Sequence, residues 1–287
     1  MECKIPDYAG MWQAHVQASC APRMKDDRVE EQFWEKFIET KVYDPDPTSR
    51  RVLQYLMPIF RAYDIETALE LGPGWGNYTL DLAKFCKSVT CVDISQAVLD
   101  FINRVSHKQG LSNIHGIHRK WEDFFSEKSH DLVFGYNCFY RQADLRDCFE
   151  RMNRTARKLC VAGMTTGLLP RWVGELEAAG GRAQWDFKDY IYFSGVLYQM
   201  GILANVQVLR YEKTIHYQTL EKLVTGELQR CSVEGVDRQT AEEILTQYFV
   251  RQSDGSWQGT AEFHSGIVWW EPQPIREPEE MERFLRT

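Results

Sequence analysis

The sequence predicts an α/β fold: a doubly wound, mostly parallel seven-stranded sheet with N-terminal helices and a helical insert. Three observations predict it. Short apolar runs alternate with helix-period segments through residues 67–164. The first of these runs ends in a glycine-rich turn that leads into a helix. The stretch before residue 65 carries helical spacing alone.

The elements follow in order. Arg28 to Val42 places Val29, Phe33, Trp34, Phe37 and Ile38 at helical spacing, with acids on the other face. Asp46-Pro47-Thr48 is a helix start, and Val52, Leu53, Leu56, Met57 and Phe60 continue the pattern. Residues 1–64 are therefore expected to form a helical cap on a main domain of residues 65–287, with a helical insert at about 214–252. Strands are expected at Thr67–Leu71, Ser88–Ile94, Asn113–His118, Asp131–Tyr136 and Lys158–Met164, separated by helices at Tyr78–Phe85, Gln96–His107 and Leu145–Ala156. The last third breaks this rhythm. Helical patterns occupy Arg171–Ala179, Tyr190–Leu203, Thr219–Arg230 and Thr240–Gln252, and strands fit Asn205–Tyr211 and Gly259–Trp269, the second after a turn at Asp254-Gly255. Trp269 and Trp270 point to opposite faces at a strand end, so burial of one ring is expected. The proline- and charge-rich tail after Glu271 is expected to wrap the surface or to move freely.

Composition narrows the function classes. With 34 basic and 41 acidic residues the formal charge is −7, which provides no footprint for a nucleic-acid backbone. The start, Met1-Glu2-Cys3-Lys4-Ile5, lacks the apolar run of a signal peptide. Tyr190 to Val208, the richest apolar stretch, is interrupted by Ser194, Gly195, Gln199, Gly201 and Asn205, so no membrane span is expected and the chain reads as cytoplasmic. Eight cysteines at 3, 20, 86, 91, 138, 148, 160 and 231 form no C-x-x-C pair. They read as reduced, mostly buried thiols, and no metal is expected.

Two motifs carry chemistry. In Leu69-Glu70-Leu71-Gly72-Pro73-Gly74-Trp75-Gly76-Asn77 a strand ends in three alternating glycines and a helix follows. Glycines there let a ligand lie directly on the main chain, at the carboxyl edge of the strands where doubly wound sheets bind ligands. A dinucleotide fingerprint would need glycine where Asn77 stands, and a P-loop would need Gly-Lys-Ser/Thr. The Glu70 carboxylate would repel a phosphate and suits a ligand with an ammonium group. The second motif is Val89-Thr90-Cys91-Val92-Asp93-Ile94-Ser95, in which an acid at the end of the second strand can chelate both hydroxyls of a ribose. Each motif has a plainer reading: a βα turn for the glycines, and a cap of the Ser95 helix for Asp93.

With these residues in place, the chain resembles the class I S-adenosylmethionine-dependent methyltransferases over about residues 65–164, and more loosely in its C-terminal strands. The resemblance implies a Rossmann-like sheet with an antiparallel final strand and S-adenosylmethionine as cofactor. It places Gly72, Gly74 and Gly76 against the methionine part with Glu70 nearby, Asp93 on the ribose and Ile94 beside the adenine. Lys120-Trp121-Glu122-Asp123 stands where many members have Gly-Asp-Ala, which makes Trp121 and Glu122 candidates for the adenine edge. Asn137 falls where a residue often touches the cofactor near its sulfonium. Trp121 as a core aromatic and Asn137 as a turn former are the bland alternatives.

Methyl transfer from a sulfonium needs orientation and water exclusion more than a catalytic triad. Tyr136-Asn137-Cys138-Phe139-Tyr140-Arg141 lacks the prolines of the Asn/Asp-Pro-Pro-Tyr/Phe signature of nucleic-acid amino methyltransferases, which with the acidic charge favours a small-molecule acceptor. Tyr140 is a weak candidate for positioning or deprotonating it, and otherwise a wall. Phe33, Trp34, Phe37 and Tyr43 could line an acceptor pocket or simply pack on the core. Transfer to protein or RNA, and a non-catalytic cofactor-binding module, are the alternative functions. Acceptor, methylated atom and oligomeric state stay open.

Overall fold

In the computed structural model, which describes residues 6–19, 21–166, 169–183, 189–276 and 280, the N-terminal region forms three helices, α1 (Tyr8–Ala18), α2 (Asp27–Glu39) and α3 (Pro47–Ala62). The starts of α2 and α3 are the ones the sequence marks. The Asp26 carboxylate accepts from the Arg28 N–H, and Asp46 from the Thr48 N–H at 2.7 Å, with Pro47 in the first turn.

The alternating region follows as β1 (Thr67–Leu71), α4 (Thr79–Phe85), β2 (Ser88–Asp93), α5 (Gln96–Lys108), β3 (Ile114–His118), β4 (His130–Tyr136), α6 (Leu145–Thr155) and β5 (Ala156–Thr166). Then come α7 (Arg171–Ala178), β6 (Arg182–Ala183), α8 (Tyr190–Gln199), β7 (Asn205–Tyr217), α9 (Leu220–Arg230), β8 (Val233–Glu234), α10 (Arg238–Leu245), β9 (Phe249–Arg251) and β10 (Trp257–Trp270). The main sheet runs in the order β3-β2-β1-β4-β5-β10-β7, with β9 pairing on β10. Pairings among β1 to β5 are parallel, and β9 is antiparallel to β10. The direction of the strand order reverses between β1 and β4, the switch point at which such sheets open a crevice.

The chain divides into two compact units, 1–164 with 188–209 and 266–287, and 165–187 with 210–265. In the first unit, period-two alternation in the strands feeds two cores. Leu69, Leu71 and Val133 join Trp12 and Val16 of α1, Phe149 and Met152 of α6, and Phe193 and Leu197 of α8. Ala68, Leu132 and Phe134 join Val52, Leu56 and Phe60 of α3 and Leu82 of α4. Three helices thus cover one face, and α3 and α4 with Leu99 of α5 the other, each closing an apolar side of the strands. Trp270 is buried in the first core, and its indole N–H reaches the Asn153 side-chain oxygen at 3.2 Å. Trp269 packs on the second, with its N–H 3.3 Å from the Tyr55 hydroxyl. Both rings of the pair are used, one per face.

The second unit has its own core of Trp172, Leu176, Leu223, Val233, Leu245 and Phe249. At its centre the fully buried Glu227 accepts from the Trp172 indole at 3.0 Å, the Tyr217 hydroxyl at 2.7 Å and the Arg230 guanidinium. A buried acid with this many donors is a fixed structural hub.

Two expected elements differ. The helix over Thr240–Gln252 stops at Leu245, and Phe249–Arg251 pairs with Trp257–Gly259 as a hairpin. The Asp254-Gly255 turn closes it, with Gly255 at φ +85° and the Gln252 N–H on the Ser256 carbonyl. Phe249 enters the core from a strand, and that tertiary demand overrides the helical spacing. The helix over Tyr190–Leu203 ends at Gln199, because Gly201 turns left-handed at φ +74° and the Ile202 N–H caps back onto Leu197. The sheet accordingly gains an eighth strand. Residues 271–276 lie along the first unit, with Gln273 bonding Leu203 and Asn153; the rest of the expected tail, and Cys3 and Cys20, fall outside the described residues apart from Glu280. Among the described residues no helix is long and apolar enough to cross a membrane, and no cluster of three metal-ligating side chains occurs.

Candidate functional site: the carboxyl edge of the first unit

Register brings the sequence motifs together. Leu71 is level with Val92 on one side and Gly135 on the other, so Gly72, Asp93 and Tyr136 stand next to one another just past the last shared rung. The Gly72 N–H donates to the Val92 carbonyl at 2.9 Å and ties the loop to β2. Gly72 and Gly74 sit at φ +54° and +55°, where a side chain strains the backbone. A Cβ on Gly72 would also lie 2.7 Å from the Cys138 Cβ. Gly72 is exposed and Gly74 partly so, whereas Gly76 is buried against Ile102 of α5 and serves helix packing.

Two buried acids back this loop. Burial pushes the Glu70 carboxyl up to about 8; Thr79 and Cys91 offset part of that, and the Asp93 charge adds to it. Asp93 is raised to about 7, first by burial and then by the Glu30 charge, while the main-chain N–H groups of Ser95 and Gly74 draw it down. Its Oδ1 accepts from the Ser95 N–H at 2.8 Å, so Asp93 shapes the start of α5 besides facing the loop. Next to it Ile94 is half-buried, and its carbonyl is bonded by the His118 imidazole at 2.7 Å.

A short 3₁₀ turn at Trp121–Asp123 follows β3. Trp121 is buried in the first core beside Phe124, and Glu122 is half-buried at the turn. After β4, Asn137 is exposed at φ +54°, with its N–H on the Gly163 carbonyl at 2.9 Å. That conformation turns the chain back into a second 3₁₀ turn, Phe139–Arg141.

Sequence reading missed what lies across this edge. The α2 acids Asp27, Glu30 and Glu31 share one helical face. Asp27 reaches Lys120 at 2.9 Å and Arg141 at 2.6 Å, and Glu31 stands 3.8 Å from His118. The buried Glu30 accepts from Arg23 at 2.8 Å, from the Trp34 indole N–H at 2.8 Å, and through a short hydrogen bond from the Tyr140 hydroxyl. The Trp34 ring lies 3.4 Å from where a Gly74 Cβ would stand. Helix α2 therefore runs over the carboxyl ends of β3 and β4 and reaches the glycine loop. The acids 27, 30 and 31 were visible as the polar face of that helix; that Glu30 is buried there while Asp27 and Glu31 meet basic side chains from the strand ends is a tertiary fact. Burial and Glu30 raise the Tyr140 phenol, which holds it protonated as a donor. Trp34, Phe37 and Tyr43 pack with Val98 and Phe101, while Phe33 is exposed under the Arg23 guanidinium, 3.5 Å from its ring centre.

A methyltransferase-domain family model matches residues 68–158, which span β1 to the start of β5 and include the glycine loop and Asp93. Over this segment the chain is similar to a methyltransferase domain. The chain is 28% identical over 177 residues to an uncharacterised protein of Haemophilus influenzae, a match over 62% of this chain and 64% of the relative, just under two thirds of its length. In fold it is similar to a protein assigned as a type II methyltransferase from Anaeromyxobacter dehalogenans, with a TM-score of 0.52 at 16% identity over 82% of this chain and all of the other. It is likewise similar to one assigned as a methyltransferase from Bacillus halodurans, with a TM-score of 0.50 at 14% identity over 77% and 98% of the two chains. The edge offers what S-adenosylmethionine would need: bare, exposed main chain at Gly72, held at φ +54°, beside the buried Asp93 carboxyl on the adjacent strand.

Proposed function

We propose that this chain is a class I S-adenosylmethionine-dependent methyltransferase that transfers the methyl group to a small-molecule acceptor in the cytoplasm, by orientation and in-line displacement. The observation that carries this reading is the meeting of a left-handed glycine cradle with Asp93 on the neighbouring strand. S-adenosylmethionine supplies a methyl group already activated on sulfur. In this reading Gly72 and Gly74 give the methionine part a bare main chain, Gly76 starts the packing that holds the loop, and Glu70 sets an acid near the ammonium group. Asp93 grips the ribose hydroxyls, Ile94 flanks the adenine, and Glu122 with the backbone around Trp121 borders its edge. Asn137 marks the sulfonium end.

Orientation and water exclusion are then the protein's contribution to rate. The roof formed by α2 favours a small acceptor, because it lies across the crevice mouth, and the −7 net charge opposes a nucleic-acid partner. Tyr140 acts as a wall and as a donor to Glu30. Incubation with methyl-labelled cofactor and a fractionated metabolite extract tests the reading. Label is expected in a small organic fraction; label in protein or RNA, or demethylated cofactor with no labelled product, would overturn the small-molecule assignment.

A further inference from the structure

Most of the acids on α2 are exposed or partly exposed, as a surface helix requires, but Glu30 is 1% exposed and sits at the crevice. A charge buried to that degree is tolerated only when it is paired and hydrogen-bonded. Its partners come from three places. Arg23 precedes the helix and bonds both carboxylate oxygens, at 2.8 and 3.1 Å. Trp34 is one turn further along α2, and Tyr140 belongs to the turn after β4. Arg23 also stands 3.3 Å from the Tyr140 hydroxyl. One carboxylate thus fixes the indole that lies on Gly74 and the phenol that stands three residues past Asn137. Both are at the end of the crevice where the glycine loop lies, while Asp93 grips from β2.

We propose that Glu30 is a positioning residue for the amino-acid end of the cofactor. Through Trp34 it holds the cover over Gly74, and through Tyr140 it holds the wall beside the sulfur. The inference rests on the cofactor reading of the glycine loop and goes beyond it by dividing the work: Asp93 serves the nucleoside, and Glu30 serves the amino-acid portion. A hub that merely stabilised the fold would weaken all ligands alike or none.

The test is equilibrium dialysis of the full chain with two probes, S-adenosylhomocysteine and 5′-methylthioadenosine, the second of which has the nucleoside and sulfur but no amino acid. Glu30→Gln keeps an oxygen for the Trp34 indole and loses the ion pair with Arg23; Glu30→Ala loses both. S-adenosylhomocysteine is expected to bind about tenfold to hundredfold more weakly to Glu30→Ala, and less so to Glu30→Gln, from misplacement of the surrounding groups. At pH 9, where Asp93 is ionised with or without the Glu30 charge beside it, methylthioadenosine affinity is expected to stay within about threefold of wild type, because the contacts it makes are left in place. Asp93→Ala should lose both probes. If Glu30→Ala does not fold, Glu30→Gln and Trp34→Phe carry the test. Unchanged S-adenosylhomocysteine binding in the folded variants, or an equal loss of both probes, would overturn the positioning role. A wild-type chain that binds neither probe would instead overturn the cofactor reading itself.

Discussion

At Asp93 two demands compete. Burial disfavours its charge, which is why its carboxyl rises to about 7 and that of Glu70 to about 8, yet ribose hydroxyls bond an ionised carboxylate best. Cofactor affinity is therefore expected to rise with pH through about 7. The sign for stability is opposite. Both groups ionise at about 4 in the unfolded chain, so between that value and 7 to 8 the folded chain holds more protons, and these acids make it less stable as pH rises. His130, lowered first by burial, works the other way below its ordinary value. The decisive quantity is thus the increase in melting temperature caused by S-adenosylhomocysteine, which should be larger at pH 8 than at pH 6; a larger increase at pH 6 would count against an ionised Asp93. Gly72 offers a second expectation. Gly72→Ala adds about 1–2 kcal/mol of left-handed strain to a 2.7 Å clash with the Cys138 Cβ, so thermal melts should show a loss of stability that Cys138→Gly partly restores. The meeting of these residues at one edge was legible in the sequence because the glycines and the aspartate end successive strands of one parallel sheet. Trp121 was less so: the same ring suits a core or a ligand edge, and only packing beside Phe124 shows where it lies.

Among the elements, α2 is the one whose role the sequence hid. Its apolar residues correctly predicted a helix, and its acids read as a solvated face, the usual outcome. What ties that face to the strand ends is a pair of basic side chains that arrive from far along the chain, Lys120 after β3 and Arg141 after β4. Asp27 and Lys120 are both substantially exposed, so this clamp should add little to global stability, within about 1 kcal/mol. Asp27→Asn is expected to leave the denaturation midpoint nearly unchanged while hydrogen exchange in residues 27–39 speeds up, more so at low salt, where the wild-type pair is strongest. A large drop in midpoint would show the clamp to be part of the core. The β9–β10 hairpin was missed for a related reason: Tyr248 and Phe249 fit a helical stripe as well as a strand, and the ladder to Trp257–Gly259 decides between them.

Over the whole molecule, the parallel core from β1 to β5 was readable because each strand and helix there is locally consistent with its neighbours. The second unit was not legible as a unit, since its core is assembled from segments on either side of α8, a long-range arrangement that periodicity does not encode. Trp270 shows how the C-terminal strand is tied in. Trp270→Ala should cost about 3–5 kcal/mol in denaturant unfolding, from the cavity and from loss of one of the two hydrogen bonds that the Asn153 oxygen accepts. Because the cradle, Asp93 and α2 all belong to the first unit, cofactor-induced protection in hydrogen exchange is expected in residues 23–164 and not in 210–265. Isothermal titration calorimetry with S-adenosylhomocysteine, on wild type and on folded Asp93→Ala, goes most directly to the ribose grip. One molecule should bind per chain, and the variant should bind at least about tenfold more weakly, the loss of a charge-assisted pair of hydrogen bonds. Equal affinity in the two proteins, or no heat of binding from the wild type, would contradict the role assigned to this edge.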